Sequence, residues 1–449
     1  MKVRRHNSLN SLLAALLVVV AAAGCVEPID ITPPEVTDDV ELTFQIALPD
    51  AGILTKADTD IAAVGDESKI YDLQVWAFTN GGAADETAVG YGHMTSTDGS
   101  ISTITMKLPS RVVNGENPKL DFYALANGPS VGFNPVKYPM RSALQGATFG
   151  DGNGAGFGTE CVSAVPNETD YKGLPMACYS AANFDVTFLR YGLTSNQVLY
   201  IKNHSKPDEN PAEANFSQAQ WNYFKDKWDY NQLCPTLELK RSIAKIRFVF
   251  AKAESMSEDV QITSIKLVDG SDPEDMLPVS TYLFPRETGS DIKPSTVGYE
   301  SFSWTGDNVP LVAASSFKHP TDASKDTLID TPLRLRKDST IPTGDIVPNN
   351  LNMQEYENFL TAQIALKQAT ERILYLRESD KSDVKCKITY KIGDNEKDAL
   401  IAIPAGAKLA RNTWWTVYAY FISYELGFQV TVAPWDGIGS SPNDNSHMQ

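Results

Sequence analysis

Histidine and cysteine are scarce in this chain, with five of each among 449 residues. Zinc sites and hydrolytic triads need such residues in particular combinations. The sequence has no CxxC, GxSxG, HExxH or Walker motif that would supply them. Carboxylate pairs such as Asp208 with Glu209, or Glu378 with Asp383, could serve a glycosidase, but 56 acidic residues make such pairs frequent by chance. We therefore expect a protein that is not an enzyme and that holds no metal and no cofactor.

Blocks of lysine and arginine are also missing, and the formal net charge is -17. A nucleic acid is excluded as a partner on this ground, because its phosphates need a basic surface. After Cys25 no stretch stays apolar over the roughly 20 residues that a membrane-spanning helix requires. The mature body is therefore expected to lie outside the bilayer.

The N-terminus has the form of an export signal. Lys2, Arg4 and Arg5 precede a short apolar stretch, Leu12 to Ala23, which small residues close. The segment Ala22-Ala23-Gly24-Cys25 resembles a bacterial lipobox, with alanine where a large aliphatic residue is usual. This implies that residues 1–24 are removed and that Cys25 is acylated, as with palmitate, so that it anchors the protein to lipid. The alternative is an ordinary secretory signal with a chance cysteine.

Strict alternation of apolar and polar residues predicts the first strand. After a proline-rich leash over residues 25–36, the sequence VELTFQIAL places its apolar side chains on one face of a strand. Similar runs separated by turn residues predict an antiparallel β-sandwich. The apolar residues of the first strand are Val40, Leu42, Phe44, Ile46 and Leu48, and the further strands are Ile70 to Phe78, Ser102 to Leu108 and Lys119 to Asn127.

The segment Leu237 to Phe250 shows a shift of register. Its apolar residues are odd-numbered at Leu237 and Leu239 but even-numbered at Ile246 and Phe248. Such a shift predicts a bulge or a bend, as when a strand passes from one sheet to another. We place the second β-rich domain here. The predicted domains are residues 37–232, with a loop and helix insertion at about 128–232, and residues 233–435, followed by a polar tail over 436–449.

The insertion carries a glycine-rich stretch, Gly146 to Gly158, which we interpret as a long flexible loop. Between Ser217 and Tyr230, the spacing of Trp221, Phe224 and Trp228 predicts one short helix. The aromatic stripe is either a core face or a platform on which a glycan could stack.

Apart from Cys25, four cysteines remain, and they allow three disulfide connectivities. Cys161 and Cys178 are close in sequence and lie in loop-like composition, so this pair is the favoured candidate.

With these strands in place, three segments resemble the fimbrillins, the subunits of Bacteroidales-type pili. The resemblance implies a mainly β fold, with two transthyretin-like antiparallel β-sandwich domains, long loop insertions and a few short helices. It also implies a lipoprotein precursor that reaches the outer membrane and is built into a cell-surface fimbrium. The segments are Val40 to Asn127, then Gly173 to Tyr179 with Leu237 to Phe250, and finally Ile373 to Ser379 with Ala410 to Trp415 and the strand that closes at Trp435.

In that family a protease removes the lipidated N-terminus together with the first strand, and a C-terminal strand of a neighbouring subunit fills the vacated groove. The resemblance places processing at Lys56-Ala57, where family members often carry arginine. The subunit is then either cut by a protease that tolerates lysine or kept uncut as an anchor. The candidate donor strand carries Phe428, Val430 and Val432; if this strand closes its own domain, a tip or accessory role follows.

The partners implied are other pilus subunits, outer-membrane lipid through Cys25, a processing protease, and host or bacterial surface glycans or proteins. A rival hypothesis is a glycan-binding surface lipoprotein that uses Trp221 or Trp228. Alternation in the first strand would equally suit the edge strand of a stable sandwich.

Overall fold

The computed structural model is mainly β, as predicted, and consists of three sheets with a few short helices. It describes residues 36–48, 67–133, 136–149, 170–204, 215–253, 258–270, 272–277, 282–285, 302–303, 311–312, 370–379, 381, 383–402, 408–422 and 425–434.

The N-terminal sheet has eight strands. They run in the order β7-β1-β4-β3-β2-β5-β6-β8, and β2 is buried on both faces except at its last residue. The strands are β1 Val40–Ala47, β2 Asp72–Thr79, β3 Gly90–Thr95, β4 Thr103–Leu108, β5 Lys119–Ala126, β6 Met176–Asp185, β7 Thr236–Glu238 and β8 Lys240–Arg241.

This sheet curls around its own core. Three strands separate β1 from β5 in the hydrogen-bonded order, and neighbouring strands lie about 4.8 Å apart. The rings of Phe44 on β1 and Phe122 on β5 nevertheless meet edge to face, with centroids 4.8 Å apart. The two ends of the sheet therefore face each other across a buried interior, as in a sandwich.

The predicted change of sheet between Leu237 and Phe250 is confirmed. The strand β7 pairs with β1, and β8 pairs with β6, both within the N-terminal sheet. After Ser242 and Ile243 the chain enters β9, Ala244–Ala253, which pairs with strands of another sheet. One stretch of chain thus contributes to both halves of the molecule.

The C-terminal half has two five-stranded sheets that pack face to face, since Tyr390 on β15 and Phe421 on β17 lie with ring centroids 5.1 Å apart. One sheet contains β10, β11, β12, β15 and β16, and the other contains β9, β13, β14, β17 and β18. The new strands are β10 Val260–Asp269, β11 Asp272–Met276, β12 Phe302–Ser303, β13 Leu311–Val312, β14 Thr370–Leu376, β15 Val384–Ile392, β16 Asn395–Ala402, β17 Thr413–Ile422 and β18 Glu425–Pro434.

Both halves share one apolar cluster. Trp76 and Tyr123 of the N-terminal sheet pack edge to face against Phe284, with ring centroids 6.3 and 5.7 Å apart. Tyr375 of β14 and Trp414 of β17 belong to the same buried cluster. The strands β7 and β8 complete the N-terminal sheet although they follow the predicted domain boundary at residue 233, and the division into domains at that residue stays a prediction.

Among the described residues, 187–204 and 215–230 group with Val36 and Thr37 in a separate compact unit, and the other described residues form the second unit. Within 187–230, two helices carry capping boxes, one built by Thr194 with Gln197 and one by Ser217 with Gln220. The short helices of the chain are α1 Ser110–Val113, α2 Arg141–Gln145, α3 Ser195–Asn203, α4 Gln218–Phe224 and α5 Tyr230–Leu233, and 3-10 turns lie at Gly128–Val131 and Thr187–Tyr191.

Candidate functional site

The first strand occupies a distinctive place in the N-terminal sheet. On one side β1 pairs antiparallel with β4 over six positions, from Val40 opposite Leu108 to Gln45 opposite Thr103. On its other side it meets only the three-residue strand β7, in parallel, from Gln45 to Ala47. The first part of β1 therefore has a hydrogen-bonded neighbour on one side alone among the described strands.

Two side chains fix β1 in the core. Leu42 is 1% exposed and Phe44 is fully buried, whereas Glu41 and Thr43 on the opposite face are exposed. The other apolar residues predicted for this face, Val40, Ile46 and Leu48, are half-buried. The alternation is therefore as predicted, but burial is concentrated at two positions in the middle of the strand.

The surroundings of these two side chains are apolar. Leu42 lies opposite Met106 and Phe44 opposite Ile104 on β4, both 1% exposed, and Phe44 also meets Phe122. Burying two such side chains contributes about 3–6 kcal/mol as an upper estimate. Without β1, these groups would line an apolar groove, and the edge of β4 would be open to pair with another strand.

The chain that follows β1 is held in the protein core at Glu67. Lys56 and Ala57, the predicted processing site, lie outside the described residues, as do Cys25 and Cys161. Description resumes at Glu67, whose carboxylate accepts hydrogen bonds from Lys245 Nζ at 2.8 Å and from the Tyr375 hydroxyl at 2.7 Å. Burial, and then the negative charge of Glu67, raises the pKa of Tyr375 well above its usual value. The chain on the C-terminal side of the predicted cut is therefore tied to β9 and β14.

The candidate donor residues belong to a strand that is already paired. Phe428, Val430 and Val432 lie in β18, opposite Ala419, Val417 and Trp415 of β17, in an antiparallel ladder of ten positions. Along the described strands of this sheet, β18 is the terminal one. Donation would therefore require β18 to leave its own sheet.

The described cysteines are thiols. Cys178, Cys234 and Cys386 are free and buried; Cys161 lies outside the described residues, so the Cys161–Cys178 disulfide stays a prediction. Burial raises the pKa of Cys178 to about 11 and that of Cys386 to about 12. At neutral pH both are protonated and shielded, and this makes them inert packing groups.

The helix that carries the aromatic residues of the insertion is shorter than predicted. The helix α4 ends at Phe224, so Trp228 lies beyond it, and only Phe224 is fully buried. Trp221 and Trp228 are half-buried and contact each other and Phe216, with ring centroids 6.0–6.2 Å apart. These rings form a small core of the insertion because they pack on one another.

One pairing, that of His93, was missed by sequence reasoning. His93 lies in β3, and its Nε2 is 2.6 Å from Asp72 on the neighbouring strand β2. Cross-strand pairing brings together residues that are 21 positions apart, and no local motif signals this. The histidine side chain is 41% exposed and the Asp72 side chain 12%, so the pair joins an exposed ring to a largely buried carboxylate.

Of the carboxylates singled out from the sequence, Glu378 accepts a hydrogen bond from Arg411 Nε at 3.1 Å, and Asp383 lies 3.7 Å from Lys385. Asp208 and Glu209 fall outside the described residues. Within the described part of the chain, no group of three or more potential metal ligands occurs. No helix in that part is both long and apolar enough to cross a membrane.

Comparison with solved structures finds fimbrial proteins of the Bacteroidales. The chain is similar to the tip fimbrial protein Mfa3 from Porphyromonas gingivalis with a C-terminal truncation, at 14% identity and a TM-score of 0.41, with 88% of this chain and 100% of that chain covered. It is also similar to a fimbrial assembly protein from Parabacteroides distasonis, at 10% identity and a TM-score of 0.36, with coverage of 88% and 99%. A candidate cell adhesion protein from Bacteroides eggerthii matches at 12% identity and a TM-score of 0.38, with coverage of 90% and 98%.

No protein-family profile matches the chain. No curated protein sequence matches it either. The similarities to solved structures are too distant to carry an argument about function, which rests below on the residues themselves.

Proposed function

We propose that this chain is a structural and adhesive subunit of a cell-surface fimbrium. It is exported as a lipoprotein acylated at Cys25, and it assembles by strand exchange after cleavage between Lys56 and Ala57. Its partners are further pilus subunits, the outer-membrane lipid that holds the precursor, and the processing protease.

The observation that carries this proposal is the place of β1. The strand holds two fully buried apolar side chains, yet from Val40 to Phe44 it pairs with β4 alone among the described strands. The chain beyond residues 49–66 is fixed separately by the Glu67–Lys245–Tyr375 contacts. A cut within 49–66 would therefore leave β1 held by non-covalent contacts only, while the body keeps its fold. An apolar groove open to a new strand is the arrangement that strand addition requires.

Two roles are distinguished by whether the bond after Lys56 is cut. If the bond after Lys56 is cut, the subunit loses its lipid and can extend a filament. If that bond survives, the acylated chain is an anchor, which is the second candidate. The pairing of β18 with β17 supports a tip or accessory role as a further alternative, because a subunit whose C-terminal strand stays in its own sheet donates nothing.

N-terminal sequencing of the protein isolated from cell surfaces separates these roles. A chain that begins at Ala57 is expected for a filament subunit, and one that begins at acylated Cys25 for an anchor. Trimmed protein is expected to form oligomers that resist sodium dodecyl sulfate. Strictly monomeric behaviour after trimming would contradict assembly by strand exchange.

Glycan binding through Trp221 and Trp228 is not part of the proposal. The two rings pack against each other and against Phe216 within the insertion, which leaves little free ring surface for a sugar. Binding to a glycan array that is lost in Trp→Ala variants, with folding intact, would revive that hypothesis.

A further inference from the structure

Residues 136–140, VKYPM, form a ridge on which large apolar side chains are exposed. The exposed fraction is 65% for Val136, 51% for Tyr138 and 50% for Met140. The backbone of the ridge is held in place, because the buried Trp76 on β2 donates its indole N–H to the Val136 carbonyl at 3.2 Å. Large apolar side chains that are exposed together on an anchored backbone are typical of a binding surface.

Three rings form a row, the ring row, that runs from the ridge onto β3. The ring centroids of Tyr138 and Tyr91 lie 6.5 Å apart, and those of Tyr91 and His93 lie 6.3 Å apart. Tyr91 is half-buried, whereas Tyr138 and His93 are exposed. Positions 91 and 93 share one face of β3 because successive side chains of a strand alternate. The ring row therefore offers a ligand an aromatic surface that is longer than a single ring.

A buried polar network fixes the orientation of two of these rings. The Asp72 carboxylate lies 2.6 Å from His93 Nε2 through one oxygen and accepts a hydrogen bond from Gln74 Nε2 at 2.9 Å through the other. The Tyr91 hydroxyl donates to Gln74 Oε1 at 3.4 Å. Gln74 is fully buried and Asp72 is 8% exposed. A buried polar network is costly unless its members are paired, and here the pairing holds the rings of His93 and Tyr91 ready for a ligand.

A cation lies at the end of the ring row. Lys137 is exposed, and its Nζ lies 5.3 Å from the centroid of the Tyr138 ring. A second lysine, Lys107, lies opposite Tyr91 on β4, but Glu41 lies opposite this lysine on β1 and offsets its charge. The chain as a whole carries a formal net charge of -17. An exposed lysine beside exposed rings therefore gives this surface a local charge that complements an anionic ligand.

An acidic sugar chain has the chemistry that this surface recognises. The faces of a sugar ring present C–H bonds that pack on aromatic rings, and its hydroxyls exchange hydrogen bonds with fixed polar groups. The strand β4, which pairs with β3, exposes Thr103, Thr105 and Lys107. A dry protein interface would bury these polar side chains together with Lys137, whereas charged residues are depleted at the core of such interfaces. A hydrated sugar leaves them in contact with water.

We propose that the ring row and Lys137 bind a glycan that carries a carboxylate or a sulfate. Its sugar rings pack on Tyr138 and Tyr91, and its anionic group pairs with the Lys137 ammonium. The inference rests on the adhesive part of the proposed function and names the ligand class. It does not depend on cleavage or on strand exchange, because the site consists of β2, β3 and the ridge. It also differs from the rival hypothesis, which used Trp221 and Trp228 of the insertion.

A glycan array probed with the full, uncut chain tests the ligand class. The array carries sialylated, glucuronylated and sulfated forms of several neutral core sugars, lactose among them, and each core sugar alone. We expect at least one acidic form to bind ~10-fold or more tightly than its core sugar, because only the acidic form pairs with Lys137. The form that binds tells a carboxylate from a sulfate. Equal binding of acidic and neutral forms, or no binding, would overturn the inference.

Variants locate the site in titration calorimetry with the soluble form of the acidic sugar that binds. Tyr138→Ala should weaken binding at least ~10-fold, because a ring that packs on the sugar is lost, whereas Tyr138→Phe should bind as the unchanged chain does. Lys137→Met should weaken binding similarly, and its affinity should fall much less as salt is raised from about 0.05 M to about 0.5 M. The matched control is Lys202→Met, since Lys202 lies 5.2 Å from the Tyr230 ring in the insertion. This control should keep the affinity and the salt dependence of the unchanged chain.

The outcomes separate this inference from the proposed function, and urea unfolding checks that each variant keeps its fold. If no acidic glycan binds while the trimmed chain forms detergent-resistant oligomers, the inference is overturned and assembly stands. If the glycan binds through Tyr138 and Lys137 while the trimmed chain stays monomeric, strand exchange fails and the inference is supported. Binding that Tyr138→Ala leaves unchanged and Trp221→Ala abolishes would place the glycan on the insertion and overturn the ring row as its site.

Discussion

Lys245 and Glu67 form an ion pair with 2.8 Å between Nζ and Oε1, although their side chains are only 3% and 1% exposed. They are 178 residues apart in sequence. Tyr375 donates to the same carboxylate oxygen, and the ring of Trp414 lies 3.9 Å from the ammonium nitrogen. Each charge is thus both neutralised and hydrogen-bonded, which is the condition under which a buried pair is tolerated.

Removal of one partner should be costly. Lys245→Met leaves the Glu67 carboxylate buried without its cation, and we expect a loss of about 3–5 kcal/mol in the free energy of unfolding. The matched control is Lys391→Met, which breaks an exposed pair with Glu396 at 3.9 Å and should cost less than about 1 kcal/mol. Urea unfolding followed by tryptophan fluorescence measures both, and equal losses would contradict the buried role of Lys245.

Phe44 should hold β1 in place after the chain is cut. Phe44→Ala removes a fully buried ring, and the expected cost is about 3–5 kcal/mol, so the cut chain should lose β1 much faster than the unchanged protein does. Thr43→Ala, one residue away on the exposed face, should retain β1 nearly as well. Gel filtration after the cut, with mass spectrometry of the retained fragment, measures the difference. Similar release from both variants would show that burial at position 44 does not hold the strand.

Cys386 should make stability depend on alkaline pH. Its pKa in the folded protein is raised to about 12 by burial, against an ordinary value of 9.0. Between these values the unfolded chain loses a proton that the folded chain keeps, so the contribution of Cys386 to stability is full below pH 9 and falls as the pH rises.

Each pH unit in this window should remove up to about 1.4 kcal/mol. The Cys386→Ala variant lacks the ionisable thiol. The difference in unfolding free energy between the unchanged protein and this variant should therefore shrink from pH 8 to pH 10.5. A difference that is constant with pH would show that the thiol ionises as readily when folded as when unfolded.

Asn127 should be sensitive to substitution for two separable reasons. Its backbone is left-handed, with φ 57°, and its buried side chain accepts a hydrogen bond from the Tyr71 amide and donates to the carbonyls of Lys69 and Leu174 at 2.8–2.9 Å. Asn127→Gly keeps the backbone but loses these bonds, for an expected cost of about 1–3 kcal/mol. Asn127→Ala should cost about 1 kcal/mol more because a Cβ disfavours this backbone. Thermal or urea unfolding of both variants gives the order, and an alanine variant more stable than the glycine variant would contradict it.

Local alternation predicted the strands whose two faces differ in polarity. The strand β4 alternates exposed and buried residues along its whole length, and its predicted and observed bounds differ by one residue at the start. The strand β3 was not predicted, because its sequence GYGHMT contains two glycines and ends on exposed residues. Glycine contributes no side chain to the apolar period, so the signal is lost.

Contacts between distant parts of the chain lay beyond sequence reasoning. The parallel pairing of β1 with β7 joins residue 46 to residue 237, and no local pattern specifies such a partner. The helix expected from Ser217 to Tyr230 ends at Phe224. Trp228 lies beyond this helix and packs against Phe216, although its spacing in the sequence fits a helix. The shift of register after Leu239 was predictable because a strand that passes to another sheet buries its opposite face, and the apolar residues then move from odd to even positions.

The chain segment that runs from β7 through β8 into β9 would transmit mechanical load between the two halves of the protein. A force that pulls on β1, at its site beside β4 and β7, would reach the C-terminal half through this segment. Hydrogen bonds connect that site directly to β7, and other bonds connect β9 through β17 to β18. Between them, from Thr236 to Ala253, the load runs along the covalent backbone. Pulling along the strand axis loads the evenly spaced hydrogen bonds of the parallel β1–β7 and β9–β17 pairs together, so these pairs would resist shear rather than open bond by bond.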